Sequence, residues 1–267
     1  MVHYTKKSAG SVRRHAWRAD LWYNTGMKRK IAQSAYAAMT VALAAFAPFA
    51  ASADIEILFL RHGETTWNRA KMLQGSVSNT CLTVKGVRMA EETGKGMSAA
   101  GLRFGRIYTS PYRRARHTAD IVAAAGVGPV PVVDARLREM CFGCYEGMRY
   151  VKGNYPDENL RFFFEEPERY VPRGAGAESL ADVRARLRDF LENEVRPLDG
   201  TVERVLCVAH SLVLKALAEE VAGPGGVPEG AKKAIQRNCC VHTIKFSGGR
   251  FTLQDTGRIF YSAEEFD

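Results

Sequence analysis

The chain has 267 residues, 46% of them hydrophobic and 25% charged, which is the balance of a folded globular domain with a sizeable core. Its net charge of +9 is unevenly spread: eight of the 38 Lys and Arg and one of the 29 acidic residues fall in positions 1–53, leaving +2 on residues 54–267. A basic nucleic-acid-binding surface on the main body is therefore excluded, and the basicity belongs to the N-terminal segment.

That segment reads as a secretory leader. Met27-Lys28-Arg29-Lys30 precedes an alanine-rich apolar run from Ala35 to Ala50, which ends in the small-residue site Ala51-Ser52-Ala53. Cleavage is expected after Ala53, with Met27 the better start and Asp54 the first residue of the mature chain. The destination would be the periplasm or the medium, with membrane contact only during export. The alternative is an uncleaved anchor at 31–53, since about 20 apolar residues span a bilayer. Alanine's weak hydrophobicity and the interruption at Pro48 favour cleavage.

Residues 54–267 read as one domain. Ile57-Leu58-Phe59-Leu60 predicts a buried strand that delivers Arg61 and His62 at its carboxyl end. A polar loop is expected from Thr65 to Asn79, then a helix from Leu82 to about Ala100 with Thr83 as its N-cap. Arg106–Thr109 is a short strand, and Ser110-Pro111 starts a helix whose apolar face is Ala115, Ala119, Val122 and Ala123. A strand is expected at 130–133, a helical aromatic insertion at 154–173, and an amphipathic helix opened by Glu178-Ser179-Leu180 and running to about Val195. Arg204–Ala209 is a second buried strand, ending at His210-Ser211, where a helix to Val221 begins. Two late strands, 241–246 and 250–254, flank a Ser-Gly-Gly turn. Strands alternating with helices predict a three-layer α/β/α sandwich with a mostly parallel sheet.

Six cysteines lie at 81, 141, 144, 207, 239 and 240. This is not the dense spacing of a disulfide scaffold. Cys141-x-x-Cys144 lacks the strand-then-helix setting of a redox motif, and no second pair completes a zinc site, so all six are read as ordinary residues, Cys207 as core.

Two strands thus end in histidine at the carboxyl edge of the sheet, where open α/β sheets bind ligands. Arg61 stands beside the first, Ser211 and Leu212 amides follow the second, and an arginine cluster at 113–116 starts a helix. Convergent cationic and donor groups without a carboxylate cage describe a phosphate pocket that needs no metal. Arg113 and Arg116 are read as a solvated helix face, and His117 and His242 as ordinary histidines.

The residues carrying these groups fall into ordered motifs. Arg61-His62-Gly63-Glu64-Thr65-Thr66-Trp67-Asn68 is followed by Leu82-Thr83-x-x-Gly86 and by Ser110-Pro111-x-x-Arg114-Ala115-x-x-Thr118-Ala119. Leu137-x-Glu139-x-x-Phe142-Gly143-x-x-Glu146-Gly147, Glu178-Ser179-Leu180 and Val208-x-His210 complete the series. Together they resemble the histidine phosphatase superfamily in its phosphoglycerate mutase-like branch, over essentially all of 55–246. The resemblance implies that His62 is a nucleophile that becomes phosphorylated, that Arg61, Arg114 and His210 cradle the phosphoryl oxygens, and that Glu139 protonates the leaving oxygen and then activates water. Asn68 and the amide of Ser211 would add hydrogen bonds to the same phosphate. Glu146 is the weaker rival for the acid role.

Three departures stand out: Asn79-Thr80-Cys81 replaces the usual aspartate and proline before Leu82-Thr83, Ser211 stands where glycine is usual, and Cys144 where an acid is frequent. The expected activity is hydrolysis of a small-molecule phosphate ester through a phosphohistidine, without metal or cofactor. The alternatives are a phosphoglycerate mutase or a catalytically silent phosphoryl-binding module. The short insertion between Gly147 and Glu178 favours a phosphatase, and the retained set of five polar residues speaks against silence. Specificity should reside in positions 148–177, where Phe162, Phe163, Phe164, Arg161, Arg169 and Arg173 either line a lid or, for the phenylalanines, pack it down.

Overall fold

The computed structural model describes residues 54–266 apart from positions 77, 152, 224 and 234; the leader and its expected cleavage site lie outside the described residues. In chain order the elements are β1 (Ile55–Arg61), α1 (Thr66–Arg69), α2 (Val84–Ala99), β2 (Arg106–Thr109), α3 (Arg113–Val122), β3 (Val132–Val133), α4 (Glu158–Glu165), α5 (Leu180–Phe190), β4 (Arg204–Ala209), α6 (Ser211–Ala222), β5 (Val241–Ser247), β6 (Arg250–Arg258) and α7 (Ala263–Phe266).

The two uninterrupted apolar runs form the centre of the sheet. Successive side chains of a strand point to opposite faces, so Ile55, Ile57 and Phe59 of β1 enter one core while Leu58 and Leu60 enter the other. β4 divides in the same way, with Val205, Cys207 and Ala209 against Leu206 and Val208. A strand buried on both faces must be apolar at every position, which is why these segments show no alternation. The sheet order is β3-β2-β4-β1-β5-β6. β3, β2, β4 and β1 are parallel, and β5 and β6 extend the edge antiparallel. α5, α6 and the insertion cover one face, and α2, α3 and the C-terminal Tyr261 and Phe266 cover the other, giving the three-layer α/β/α arrangement.

Local signals set most boundaries, with some corrections. Thr83 caps α2, its hydroxyl accepting the Gly86 N–H at 3.0 Å. The loop expected at 65–79 contains the helical turn α1, closed by a capping box between Thr65 and Asn68. Helix α3 starts at Arg113 instead of Ser110, leaving Pro111 outside it. α5 opens within the expected Glu178-Ser179-Leu180 triplet, with Ser179 as the cap in a capping box with Asp182, and its α-helical part ends at Phe190. The carboxylate of Glu178 bonds Arg138 at 2.7 Å and Arg186 at 3.0 Å. In the insertion the α-helix covers only Glu158–Glu165, and β3 keeps only two residues of the four expected. β6 runs four residues past the expected end because β5 pairs with it throughout, with bulges between Val241/His242 and Thr243/Ile244. All six cysteines are free thiols, and Cys207 lies in the core.

Gly63 and Gly86 are required by a close backbone approach. A Cβ on Gly63 would lie 2.4 Å from the Gly86 carbonyl oxygen, and one on Gly86 would lie 2.1 Å from that of Glu64. The first turn of α2 thus presses directly on the loop leaving β1 and fixes where His62 sits.

Candidate active site

β1 and β4 are adjacent and parallel, with Arg61 opposite Ala209, so the residues that follow them emerge side by side. His62 and His210 meet edge to face with ring centroids 5.2 Å apart. The His62 amide donates to the Ala209 carbonyl at 3.1 Å, tying the two strand ends together.

The polarity of each ring follows from its partners. His62 Nδ1 lies 2.7 Å from the carbonyl oxygen of Gly63. A carbonyl only accepts, so Nδ1 carries the hydrogen and Nε2 keeps its lone pair. His210 is held the opposite way: Arg114 Nε donates to its Nδ1 at 3.2 Å, and its Nε2 donates to Ser110 Oγ at 2.7 Å. Both imidazoles are held well below the usual histidine range. Burial is the first cause for each, and the Arg114 charge is the second.

A cleft opens beside His62, its polar wall formed by Arg61, His62, Asn68, Gln74, Glu139 and Ser211. Arg61 is buried, and burial lowers the pKa of its guanidinium. One of its terminal nitrogens donates to the Gln236 carbonyl, while its Nε is buried with no hydrogen-bond partner among the described residues. A buried guanidinium donor left unpaired costs about 1–3 kcal/mol, which an anion in the cleft would recover. Glu139 is likewise buried, and desolvation raises its pKa despite donors that favour the charged form. Those donors are the Met140 amide at 2.9 Å on one oxygen and the Leu212 amide at 3.3 Å on the other. The Leu212 amide, expected as part of an open anion site at the start of α6, is therefore occupied by Glu139.

Arg114 and His210 lie behind this wall and not in it. Arg114 is buried, its pKa lowered to about 10 by desolvation. Besides His210 it donates to the carbonyls of Gly75 at 2.9 Å and Ser78 at 3.2 Å. The loop preceding α2 thus rests on the arginine expected to clamp a phosphoryl group. Asn68 lines the cleft, its carbonyl oxygen accepting from Asn238 Nδ2 at 3.1 Å and from the Thr65 amide at 3.2 Å. Ser211 also lines it, and its hydroxyl accepts from the Gln236 amide at 2.6 Å. Glu146 is engaged elsewhere. Its carboxylate accepts from the amide and hydroxyl of Ser76 at 2.7 and 2.8 Å, stapling the same loop. Arg113, Arg116 and His117 are exposed, and His242 is buried in β5, its Nδ1 accepting from the Gly257 amide at 3.2 Å.

Several supporting residues escaped the sequence reading. Thr118 accepts from the Gly63 amide at 3.0 Å and donates to the Arg114 carbonyl at 2.7 Å, linking α3 to the His62 loop. Ser110 orients His210. Thr118 and Ser110 both fall within the Ser110-Pro111-x-x-Arg114-Ala115-x-x-Thr118-Ala119 motif, which was the available signal. Gln236 and Asn238, the latter donating to the His62 carbonyl at 3.0 Å, sit in a loop that carries no motif.

Comparison with known proteins agrees with this geometry. Residues 57–258 match the histidine phosphatase superfamily (branch 1). A probable phosphoglycerate mutase GpmB of Klebsiella pneumoniae is 30% identical over 195 residues, covering 72% of this chain and 85% of that protein. A metal-independent phosphoserine phosphatase of Arabidopsis thaliana is 31% identical over 167 residues, covering 61% and 66%. Among solved structures, Bacillus stearothermophilus YhfR superposes with a TM-score of 0.65 at 30% identity, covering 77% of this chain and 98% of that one. The chain belongs to the histidine phosphatase superfamily, and it is an enzyme of that class.

Proposed function

We propose that this chain is a phosphomonoesterase that works through a phosphohistidine on His62, without a metal ion. The observation that carries the reading is the pairing of His62 Nδ1–H with the Gly63 carbonyl, which leaves a neutral imidazole with its Nε2 lone pair in the wall of a cleft shared with Glu139. In the first step Nε2 bonds to phosphorus, the P–O ester bond breaks, and the Glu139 carboxyl gives its proton to the leaving oxygen. In the second, the Glu139 carboxylate takes a proton from water, the water oxygen bonds to phosphorus, and the P–N bond breaks to release inorganic phosphate.

Each role fits its group. An imidazole attacks only when neutral, and the burial and nearby arginine charges that depress the His62 pKa keep it so. A carboxyl whose pKa is raised by burial is still protonated where an ordinary one has ionised, as a general acid requires. Arg61, with its unpaired Nε, offers charge to the equatorial phosphoryl oxygens, and Arg114 joins it once the 75–78 carbonyls release a donor. Asn68 and the Ser211 amide complete the cradle, and His210, behind the wall, holds Arg114 through its Nδ1 and packs edge to face on His62. The metal-independent phosphoserine phosphatase among the relatives supports hydrolysis without a metal. The curated mutases support the alternative, isomerisation of phosphoglycerate primed by a bisphosphorylated glycerate.

The test uses residues 54–267 with p-nitrophenyl phosphate in EDTA. Turnover and an acid-labile phosphoenzyme are expected, and both should vanish in His62→Ala; phosphoenzyme surviving that change would move the nucleophile elsewhere. A product that is rearranged phosphoglycerate instead of phosphate would establish the mutase. Export belongs to the same reading, with the mature protein starting at Asp54. N-terminal sequencing of the exported protein checks it, and any other first residue rejects the cleavage site.

A further inference from the structure

The apolar part of the cleft's lining differs in character from its polar part. It is built by Met72, Phe142, Tyr150, Phe163, Phe164 and Ile235, which come from the loop before α2, the turn after Glu139, the insertion and the loop before β5. The aromatic members are packed as a unit. Phe164 stacks between Tyr150 and Tyr155 at centroid distances of 5.5 and 5.3 Å, and Phe163 meets Phe142 and Phe164 edge-on at 5.4 and 5.0 Å. Phe163 and Phe164 therefore pack the insertion down and line the cleft at once, whereas Phe162 does not line it.

The cations that the insertion could offer are directed elsewhere. Arg161 and Arg169 both pair with Glu166 at 2.7 Å and lie over Phe162, 4.7 and 3.8 Å from its ring centroid. Arg173 faces Asp157 and the Tyr145 hydroxyl, each at 3.4 Å. Among the described residues lining the cleft, Arg61 is the sole Lys or Arg, and the phosphoryl group would take it. A second anionic group, such as the carboxylate of phosphoglycerate or phosphoserine, would lie against apolar side chains with no second cation among the described lining residues. Burying a charge without a partner is strongly unfavourable.

We propose that the preferred substrates are phosphate monoesters of an apolar, uncharged alcohol, aromatic or aliphatic, whose carbon skeleton packs on the Tyr150–Phe164–Phe163 wall. This rests on the phosphomonoesterase reading above and names its substrate class.

The test uses the mature domain with ethyl, butyl and hexyl phosphate, 3-phosphoglycerate and phosphoserine, all primary esters of comparable leaving-group basicity. Differences in kcat/KM then report contacts with the alcohol. Across the alkyl series kcat/KM should rise about fourfold per methylene, the value of burying that group. Hexyl phosphate should exceed both carboxylate substrates by roughly 100-fold on the same scale. Ile235 is 39% exposed, so Ile235→Lys should fold and supply the missing cation at the cleft rim. It should raise kcat/KM for 3-phosphoglycerate about tenfold, the worth of one charge-assisted hydrogen bond, and flatten the alkyl series. A flat alkyl series in the wild-type protein, or 3-phosphoglycerate turned over better than hexyl phosphate, overturns the inference while leaving the phosphatase reading intact. Absence of phosphoenzyme from every one of the five compounds removes that reading, and the inference with it.

Discussion

Replacing Gly86 by alanine sets two effects of known size against each other. In an isolated helix the change stabilises, since Gly costs about 0.8–1 kcal/mol relative to Ala in a helix interior. Here the new Cβ would lie 2.1 Å from the Glu64 carbonyl oxygen and 2.7 Å from the Glu64 nitrogen. Both are backbone atoms, held in place by the Thr83 amide donating to that same carbonyl at 2.8 Å and by Thr83 Oγ1 bonding the Glu64 carboxylate at 2.7 Å. No side-chain rotation can relieve the overlap, so the loop carrying His62 and Gly63 must move by about 1 Å. Overpacking of this kind costs about 1–3 kcal/mol, and more when backbone has to shift. The clash should outweigh the helix gain, leaving a net loss of about 1–2 kcal/mol and, in a domain of this size, a Tm lower by about 2–8 °C. Displacing the nucleophile by about 1 Å should also lower kcat/KM by roughly 100-fold, although Gly86 touches no substrate. Differential scanning calorimetry and p-nitrophenyl phosphate kinetics read both, with Gly230→Ala as the control because a Cβ there meets nothing within 4 Å. A Gly86→Ala protein with unchanged or higher Tm and full kcat/KM would refute the close approach as the reason for these glycines.

Glu139→Gln should slow phosphoenzyme formation by about 100- to 10,000-fold for alkyl phosphates but far less for p-nitrophenyl phosphate, whose leaving group needs no proton. Rapid-quench measurements check this, and equal slowing for both substrates would assign Glu139 another role. Glu146→Ala should instead lower stability by about 1.5–3 kcal/mol, because it strips the acceptor from the Ser76 amide and hydroxyl, and should leave the pH–rate profile in place. A displaced pH profile in that variant would return Glu146 to the acid role. Stability should fall as pH drops below about 6.5: His62 and His210 have depressed values when folded, so the unfolded chain takes up protons there that the folded one does not. Each contributes up to about 1.4 kcal/mol per pH unit. Glu139, with a raised value, acts in the opposite sense, its share being present at low pH and lost as pH rises through that value. Comparing Tm at pH 7.5 and 5.5 for wild type and His210→Gln isolates the histidine term, and identical pH slopes in the two proteins would contradict it.

Much of the frame was legible because local chemistry set it. The apolar runs at Ile57–Leu60 and Val205–Ala209 could only be strands buried on both faces, and Thr83 could cap a helix wherever that helix packed. Glu178 shows the limit of such reasoning. In sequence it suits the first turn of a helix as well as Ser179 does, but Arg138 and Arg186 converge on its carboxylate, and the capping box forms one residue later. The helical turn α1 was missed for a related reason: its box is closed by Asn68, where the expected partner is Glu or Gln. The expectation that Arg61, His62, Asn68, Glu139 and Ser211 share one site agrees with the cleft they line, whereas Arg114 and His210 stand one layer behind it.

The sequence by itself determined the kinds of groups and the strand ends that carry them, since residue type and hydrophobic period are local properties. Only the tertiary structure decided what those groups face. The His62 tautomer depends on a carbonyl one residue away, but the burial that keeps the ring neutral is assembled from β1, β4 and α3. Burial raises the Glu139 pKa, while the Leu212 amide at the start of α6, more than 70 residues later in the chain, donates to its carboxylate and pulls the other way. The apolar part of the cleft lining joins Met72, Phe164 and Ile235, whose meeting is a matter of chain closure and not of any pattern that a local reading contains.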